Sequence, residues 1–208
     1  MKILALELSS SRGSIAWVAE KEKVITSAFA NDRKHSGLFF DNLQRFSQQF
    51  GRPDAIVVGL GPGSYAGTRI AIAAAIGLQS AYDCQLLGLP SICAMETEAN
   101  EYYGVGDARR QSFFFATVKK RQLVGEIALY SGAELRNKVD RSGKEFPIYS
   151  AEVLPQLKEA TIRAPSAAVL AQIIRNGVAV PERMPLEPIY LREPYITVPK
   201  ISAGVTIR

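Results

Sequence analysis

One histidine, two cysteines and one tryptophan in 208 residues leave little room for several kinds of chemistry. With His35 alone, no site that needs two histidine ligands can be built. The thiols Cys84 and Cys93 have neither a further cysteine nor a histidine at zinc-ligand spacing, so both are expected to be buried and reduced. No G-x-S-x-G elbow presents a serine nucleophile to His35, which is expected to cap or pack at the start of a helix. No apolar stretch reaches the ~18 residues that a membrane span needs. The opening run MKILALELSSS is too short and too alternating for a signal peptide, so the expected compartment is the cytoplasm. An uninterrupted basic block is also missing. Lys plus Arg exceed Asp plus Glu by 25 to 20, but the surplus is scattered, which fits at most a weak or indirect RNA contact.

What is present is a 47% hydrophobic chain able to bury a substantial core. Residues 2–8, 13–19 and 23–29 are β-prone runs separated by SSSR and EKE, and they predict an antiparallel three-stranded meander. Phe39, Leu43, Phe46 and Phe50 then recur at helical spacing, with polar residues between them and Gly51 and Pro53 as the stop. DAIVVGL, from Asp54 to Leu60, is a near-continuous apolar run and reads as a strand covered on both faces. The helix predicted over 66–82 is apolar and small-residued all round, so something beyond a single sheet has to cover it. A strand at 85–89 and a helix from Pro90-Ser91 to about Ala99 follow. The Gly-rich segment 103–107 reads as a connection between two lobes, 1–104 and 105–208. Beyond it come a hairpin turning at Lys120-Arg121, a helix at about 132–139, a strand at 146–149 and a helix at about 166–176. The Pro-rich remainder should be extended.

The strand, glycine-rich turn and helix N-terminus at Gly59 to Arg69 form the most informative motif, because free N–H groups and the positive end of a helix dipole suit an anion. Ser9, Gly61, Gly63, Ser64, Gly67 and Arg69 are its candidate anion or nucleotide contacts. No Lys follows the glycines, which excludes a Walker motif. Gly61, Gly63 and Ala66 match G-x-G-x-x-A on paper, but Asp83 precedes the next strand where a ribose-binding acid should end it. The competing reading is a tight crossover whose glycines only permit close packing or positive φ. Ser9-Ser10-Ser11, likewise, is first of all a turn whose hydroxyls bond the local backbone. Asp107-Ala108-Arg109-Arg110 reads as a salt-bridged turn.

The order of elements resembles the actin, sugar kinase and Hsp70 fold. Several stretches narrow the match: ILALELSSSRGSIAWV, KHSGLFFDNL, DAIVVGLGPGSYAGTRIAIAAAIGL, LLGLPSICAME, GDARRQSFFFATV and PIYLREPY. These resemble the bacterial TsaB family of tRNA threonylcarbamoyladenosine biosynthesis proteins. The resemblance implies an α/β fold of two actin-like (ASKHA) lobes with the second reduced. It also implies a non-catalytic subunit that binds and activates a catalytic homologue, TsaD, acting at adenosine 37 of tRNA, with a TsaE-like ATPase joining the pair. Alone, the chain is left open between monomer and homodimer, and any tRNA contact is indirect or weak. The two helices over 36–50 and 66–82 would meet the partner, which makes Phe39, Leu43, Phe46, Ile70, Ala71, Ala74 and Gly77 the expected contacts. Two positions depart from the family pattern: Glu7-Leu8-Ser9 stands where Asp-Thr-Ser is usual, and His35-Ser36-Gly37 where His-Ser-Glu is usual. No cofactor is expected in the isolated chain. ATP or ADP enters only with the alternative, a small ATPase- or kinase-like enzyme using the Gly59–Arg69 turn.

Overall fold

The computed structural model describes residues 1–20, 22–31, 36–142, 145–179, 181–183 and 185–192; His35 lies outside them. The first sheet grows from β1 (Ile3–Glu7), which is buried along its whole length. It pairs antiparallel with β2 (Arg12–Val18) and parallel with β4 (Ala55–Gly59). Then β3 (Ile25–Ala30) joins the outer side of β2, β5 (Gln85–Leu89) joins β4, and β11 (Glu182–Arg183) closes the far edge. The alternation of each strand sends two sets of side chains to opposite faces. On one face Leu4, Leu6, Trp17, Ile56 and Val58 pack under α1 (Ser36–Phe50) and α2 (Tyr65–Tyr82). On the other, Ile3, Ala5, Val18 and Val57 pack against α4 (Ala167–Arg175).

A second sheet, in the order β10-β9-β6-β7-β8, is built from β6 (Glu101–Asp107), β7 (Ser112–Lys119), β8 (Gln122–Ser131), β9 (Ile148–Ser150) and β10 (Thr161–Ile162). The β7–β8 hairpin turns at Lys120 and Arg121, both at positive φ. One face carries α3 (Gly132–Arg141), started by a capping box between Ser131 and Glu134 and anchored by Leu135 and Val139. The other face, with Tyr102, Phe114 and Val118, packs on Ile92, Cys93 and Met95 from the first lobe's last connection.

Three expectations need correction. The helix expected over 90–99 is a single 3-10 turn, Ser91–Ala94, because the groups that would continue it are engaged elsewhere. The Ile92 carbonyl accepts from the Tyr102 hydroxyl, the Met95 and Thr97 carbonyls from Arg121, and the Glu96 N–H donates to Ala164. The expected connection at 103–107 is instead part of β6, in the middle of the second sheet. Its glycines answer to packing: a Cβ on Gly104 would sit 2.4 Å from Ile92, and one on Gly106 2.4 Å from Phe114. A division at 104/105 therefore falls inside a strand. The later half also returns to the first sheet, through α4, whose Ala167 N–H donates to Ser14 Oγ (2.9 Å), and through β11. Leu186 and Ile189 pack on the first lobe, where the Ile189 N–H donates to the Leu60 carbonyl (2.8 Å), and Leu191 and Arg192 reach the second sheet, Arg192 donating to the Ser112 hydroxyl. Among the described residues no helix is long and apolar enough to cross a membrane.

Candidate functional site

The C-terminal ends of the adjacent strands β1 and β4 bring two loops together at a cleft of about 890 Å³ between the lobes. The contact between these loops is backbone on backbone. Ser64 N–H donates to the Ser9 carbonyl (2.6 Å), and a Cβ on Gly63 or Gly67 would lie 2.1 Å from the Ser9 or Leu8 carbonyl oxygen. Several donors at the start of α2 are thereby used internally. Gly67 N–H reaches the N-cap Ser64 Oγ (3.2 Å), Thr68 N–H the Ser64 carbonyl (3.0 Å), and Gly61 N–H the Ser91 hydroxyl (2.9 Å). Close packing at Gly63 and Gly67, and the positive φ of Gly61, explain these glycines without any ligand.

Ser9, Gly61, Gly63, Ser64 and Gly67 all line the cleft. Arg69 does not. It is exposed on α2, donates to the Tyr65 hydroxyl (2.6 Å) and lies over that ring, which packs in turn against Tyr190. The serine turn behaves locally: Ser10 Oγ accepts from Arg12 N–H and donates to the Arg12 carbonyl. The Asn31 amide fixes the Leu8 and Ser10 carbonyls (2.9 and 2.7 Å). Ser9 Oγ is buried and makes no hydrogen bond of ordinary geometry among the described residues, although it lies close enough to Glu7 to act on its charge.

Glu7, the acidic residue at the end of β1, is fully buried and does not line the cleft. Its Oε1 accepts from Ser9 N–H (2.6 Å), while Oε2 lies against Gly59, where a Cβ would be 1.8 Å away. Burial pushes its carboxyl above the ordinary range, against the lowering influence of Ser9 and Ser91. The Ser91 hydroxyl is close enough to act on the charge, although Oε2 makes no hydrogen bond of ordinary geometry. Across the cleft the Asp107 carboxylate pairs with Arg109 in its own turn, and the Asp107 N–H donates to the Glu152 carboxylate (2.9 Å) from the loop after β9. Among the described residues no group of three His, Cys, Asp or Glu side chains is placed to hold a metal ion. Cys93 is buried, its thiol pushed up to about 12 by desolvation.

The expected partner contacts divide. Phe39, Leu43, Phe46 and Ala71 are buried in the first lobe's core, so they present no surface. The 39/43/46/50 periodicity marks the face of α1 that lies on the sheet, where Phe50 stacks on Trp17 at 5.2 Å. Ile70 and Ala74 are half-buried and Gly77 is exposed. The outward face instead carries Leu38 and Phe40 on α1, and Ala73 and Ile76 on α2. Phe40 was legible as the apolar residue out of phase with the stripe, about 100° round the helix from Phe39.

Residues 34–146, more than half of the chain, match the family described as TsaD: tRNA N6-adenosine threonylcarbamoyltransferase. No curated protein matches the chain in sequence. Two solved structures share its fold. One, from Pseudomonas aeruginosa, is described as an uncharacterized protein with similarity to peptidase YeaZ; it is 22% identical, with a TM-score of 0.72 over 92% of this chain and 99% of that one. The other, YeaZ from Pseudomonas aeruginosa, is 19% identical, with a TM-score of 0.64 over 84% of this chain and 91% of that one. The chain belongs to the TsaD, or tRNA N6-adenosine threonylcarbamoyltransferase, family, and its fold, an α/β arrangement of two sheets, is that of YeaZ.

Proposed function

We propose that this chain is the non-catalytic, TsaB-type subunit of the machinery that forms N6-threonylcarbamoyladenosine at adenosine 37 of tRNA, and that it works by binding and activating a catalytic TsaD homologue. A TsaE-like ATPase joins that pair. The observation that carries this reading is the outward side of α1 and α2, where Leu38, Phe40 and Ile76 are exposed large apolar residues with Ala73 and Gly77 alongside Ile76. Small residues let a partner helix approach closely, and Phe40 is an aromatic anchor.

The test is size-exclusion chromatography with light scattering, on the chain alone and mixed with the catalytic homologue from the same genome. A one-to-one complex that displaces any homodimer is the expected result; independent elution, with nucleotide and the ATPase present, overturns the proposal. Phe40→Asp and Ile76→Arg should abolish the complex while the circular dichroism spectrum stays unchanged. A desolvated, unpaired charge costs about 3–5 kcal/mol, more than a hundredfold in affinity. Phe46→Asp cannot serve, because Phe46 belongs to the core.

One observation favours a second reading, a small nucleotide-using enzyme: the buried Ser9 Oγ at the wall of the cleft, which makes no hydrogen bond of ordinary geometry among the described residues. Isothermal titration of the isolated chain with ATP and ADP separates the two, since tight binding supports the enzyme and none supports the subunit.

A further inference from the structure

The second lobe holds a groove of about 660 Å³ beside α3, on the side of the sheet away from the cleft. Its floor is aromatic. The Tyr103 ring lies 4.9 Å from Phe115, which meets Tyr130 edge-on at 6.4 Å and 86°. One wall is a single stripe of α3, with Glu134, Asn137, Lys138 and Arg141 spaced by three, four and seven residues. That stripe runs about 10 Å along the helix.

Basic residues in the last turn of a helix are common, because the dipole favours them there, so Lys138 and Arg141 alone would mean little. Their engagement sets them apart from neighbours. Arg136, one helical face away, donates to the Gln156 carbonyl, and Lys119 pairs with Glu101. Arg141 and the Asn137 amide make no hydrogen bond or ion pair among the described residues. Lys138 holds its ammonium 5.4 Å from the centre of the Phe115 ring. The one acid in the groove, Glu134, is committed at the opposite end, where its Oε2 accepts from the Ser131 N–H (2.8 Å) and that contact holds its carboxyl below the usual range.

We propose that this groove binds a nucleoside phosphate, either free or as one unit of an RNA chain. Arg141, with a planar fork of donors, and Lys138 take the phosphate at the C-terminal end of α3. Asn137 offers a donor and an acceptor side by side, which suits the edge of a base rather than a second anion. Tyr130 offers a ring on which the base stacks. The site goes beyond the pairing role and is independent of it.

The test uses the full chain and three probes: AMP and inorganic phosphate by isothermal titration, and a fluorescein-labelled single-stranded oligoribonucleotide by anisotropy. AMP should bind at least tenfold more tightly than phosphate. Arg141→Ala and Lys138→Ala should each weaken AMP binding roughly tenfold or more, while Arg136→Ala leaves it unchanged. Oligonucleotide binding with the same sensitivity to these variants assigns the groove to RNA; binding of AMP without the oligonucleotide assigns it to a free nucleotide. The proposal is overturned if no probe binds at millimolar concentration, if phosphate binds as tightly as AMP, or if the variants bind like the wild type, which would move the site elsewhere. Since α3 lies on the other lobe from α1 and α2, Arg141→Ala should still form the one-to-one complex with the catalytic homologue. Loss of one property without the other thus tells the two proposals apart.

Discussion

Gly67 and Gly104 each face a neighbour that leaves no room for a methyl group, but the neighbours are of different kinds. A Cβ on Gly67 would stand 2.1 Å from the Leu8 carbonyl oxygen, which is main chain in the loop between β1 and β2. A Cβ on Gly104 would stand 2.4 Å from Cγ1 and Cδ1 of Ile92, a side chain reaching over from the first lobe. In the first lobe the glycine holds two backbones together at the head of the cleft. In the second it sets how closely one lobe rests on the other. A backbone cannot step aside without moving the hydrogen bonds around it, whereas an isoleucine has other rotamers.

The sharpest way to break this comparison is to add one methyl group at each position. Gly67→Ala should cost about 3 kcal/mol or more, because either β1's loop or the start of α2 must shift. Thermal unfolding should record a Tm lower by roughly 6–12 °C for a chain of this size. An unchanged Tm would mean that the two loops part easily and that the cleft wall is soft. Gly104→Ala should cost less, about 1–2 kcal/mol, and the loss should be partly relieved when combined with Ile92→Ala, a coupling that a double-mutant cycle measures. Strict additivity of the two changes would show that Ile92 is not the obstacle.

These two glycines also show what the sequence discloses and what it hides. The strand, turn and helix at 55–82 were readable because apolar period and Gly punctuation agree there, and so were the meander at 3–30 and the hairpin at 112–131. Gly104 and Gly106 misled because glycine in YGVGD has the same signature in a loop as in a strand crossed by a bulky neighbour. The neighbours Ile92 and Phe114 become visible only in three dimensions. The helix expected after Pro90 failed for the same reason, since Tyr102 and Arg121 claim its carbonyls from another part of the fold. The stripe of α1 expected to meet a partner lies on the sheet instead. Its periodicity was correct, but periodicity finds the sheet before it finds a partner, so Phe39 and Phe46 went inward and Phe40 outward.

Glu7 sharpens the comparison at the buried end of β1. Its carboxyl is raised by burial, so ionising it opposes folding above the raised folded-state value. The unfolded group, near 4.5, binds fewer protons than the folded one between the two values, and stability therefore falls as pH rises through that window. Glu7→Gln should remove the penalty and keep the acceptor for Ser9 N–H, raising Tm at pH 7. The difference from the wild type should shrink as pH approaches 4.5 from above. A constant difference across that range would show that the change acts through packing on Gly59 and not through charge.

The smallest effect is expected ten residues along α2 from Gly67, and with the opposite sign. Gly77 is exposed in mid-helix and a Cβ there would have nothing within 4 Å. Gly77→Ala should stabilise the isolated chain by about 0.5–1 kcal/mol, since glycine in a helix gives up more backbone freedom than alanine. The methyl group would also stand on the face beside Ala73 and Ile76 that the proposed pairing uses. Affinity for the catalytic homologue, measured by titration, should therefore fall while Tm rises. That outcome would separate two roles of glycine in this helix: at Gly67 the missing side chain serves the fold, and at Gly77 it would serve the proposed pairing. A rise in Tm with unchanged affinity would shift the close approach away from Gly77 toward Ala73, and Ala73→Leu would then be the variant that loses pairing.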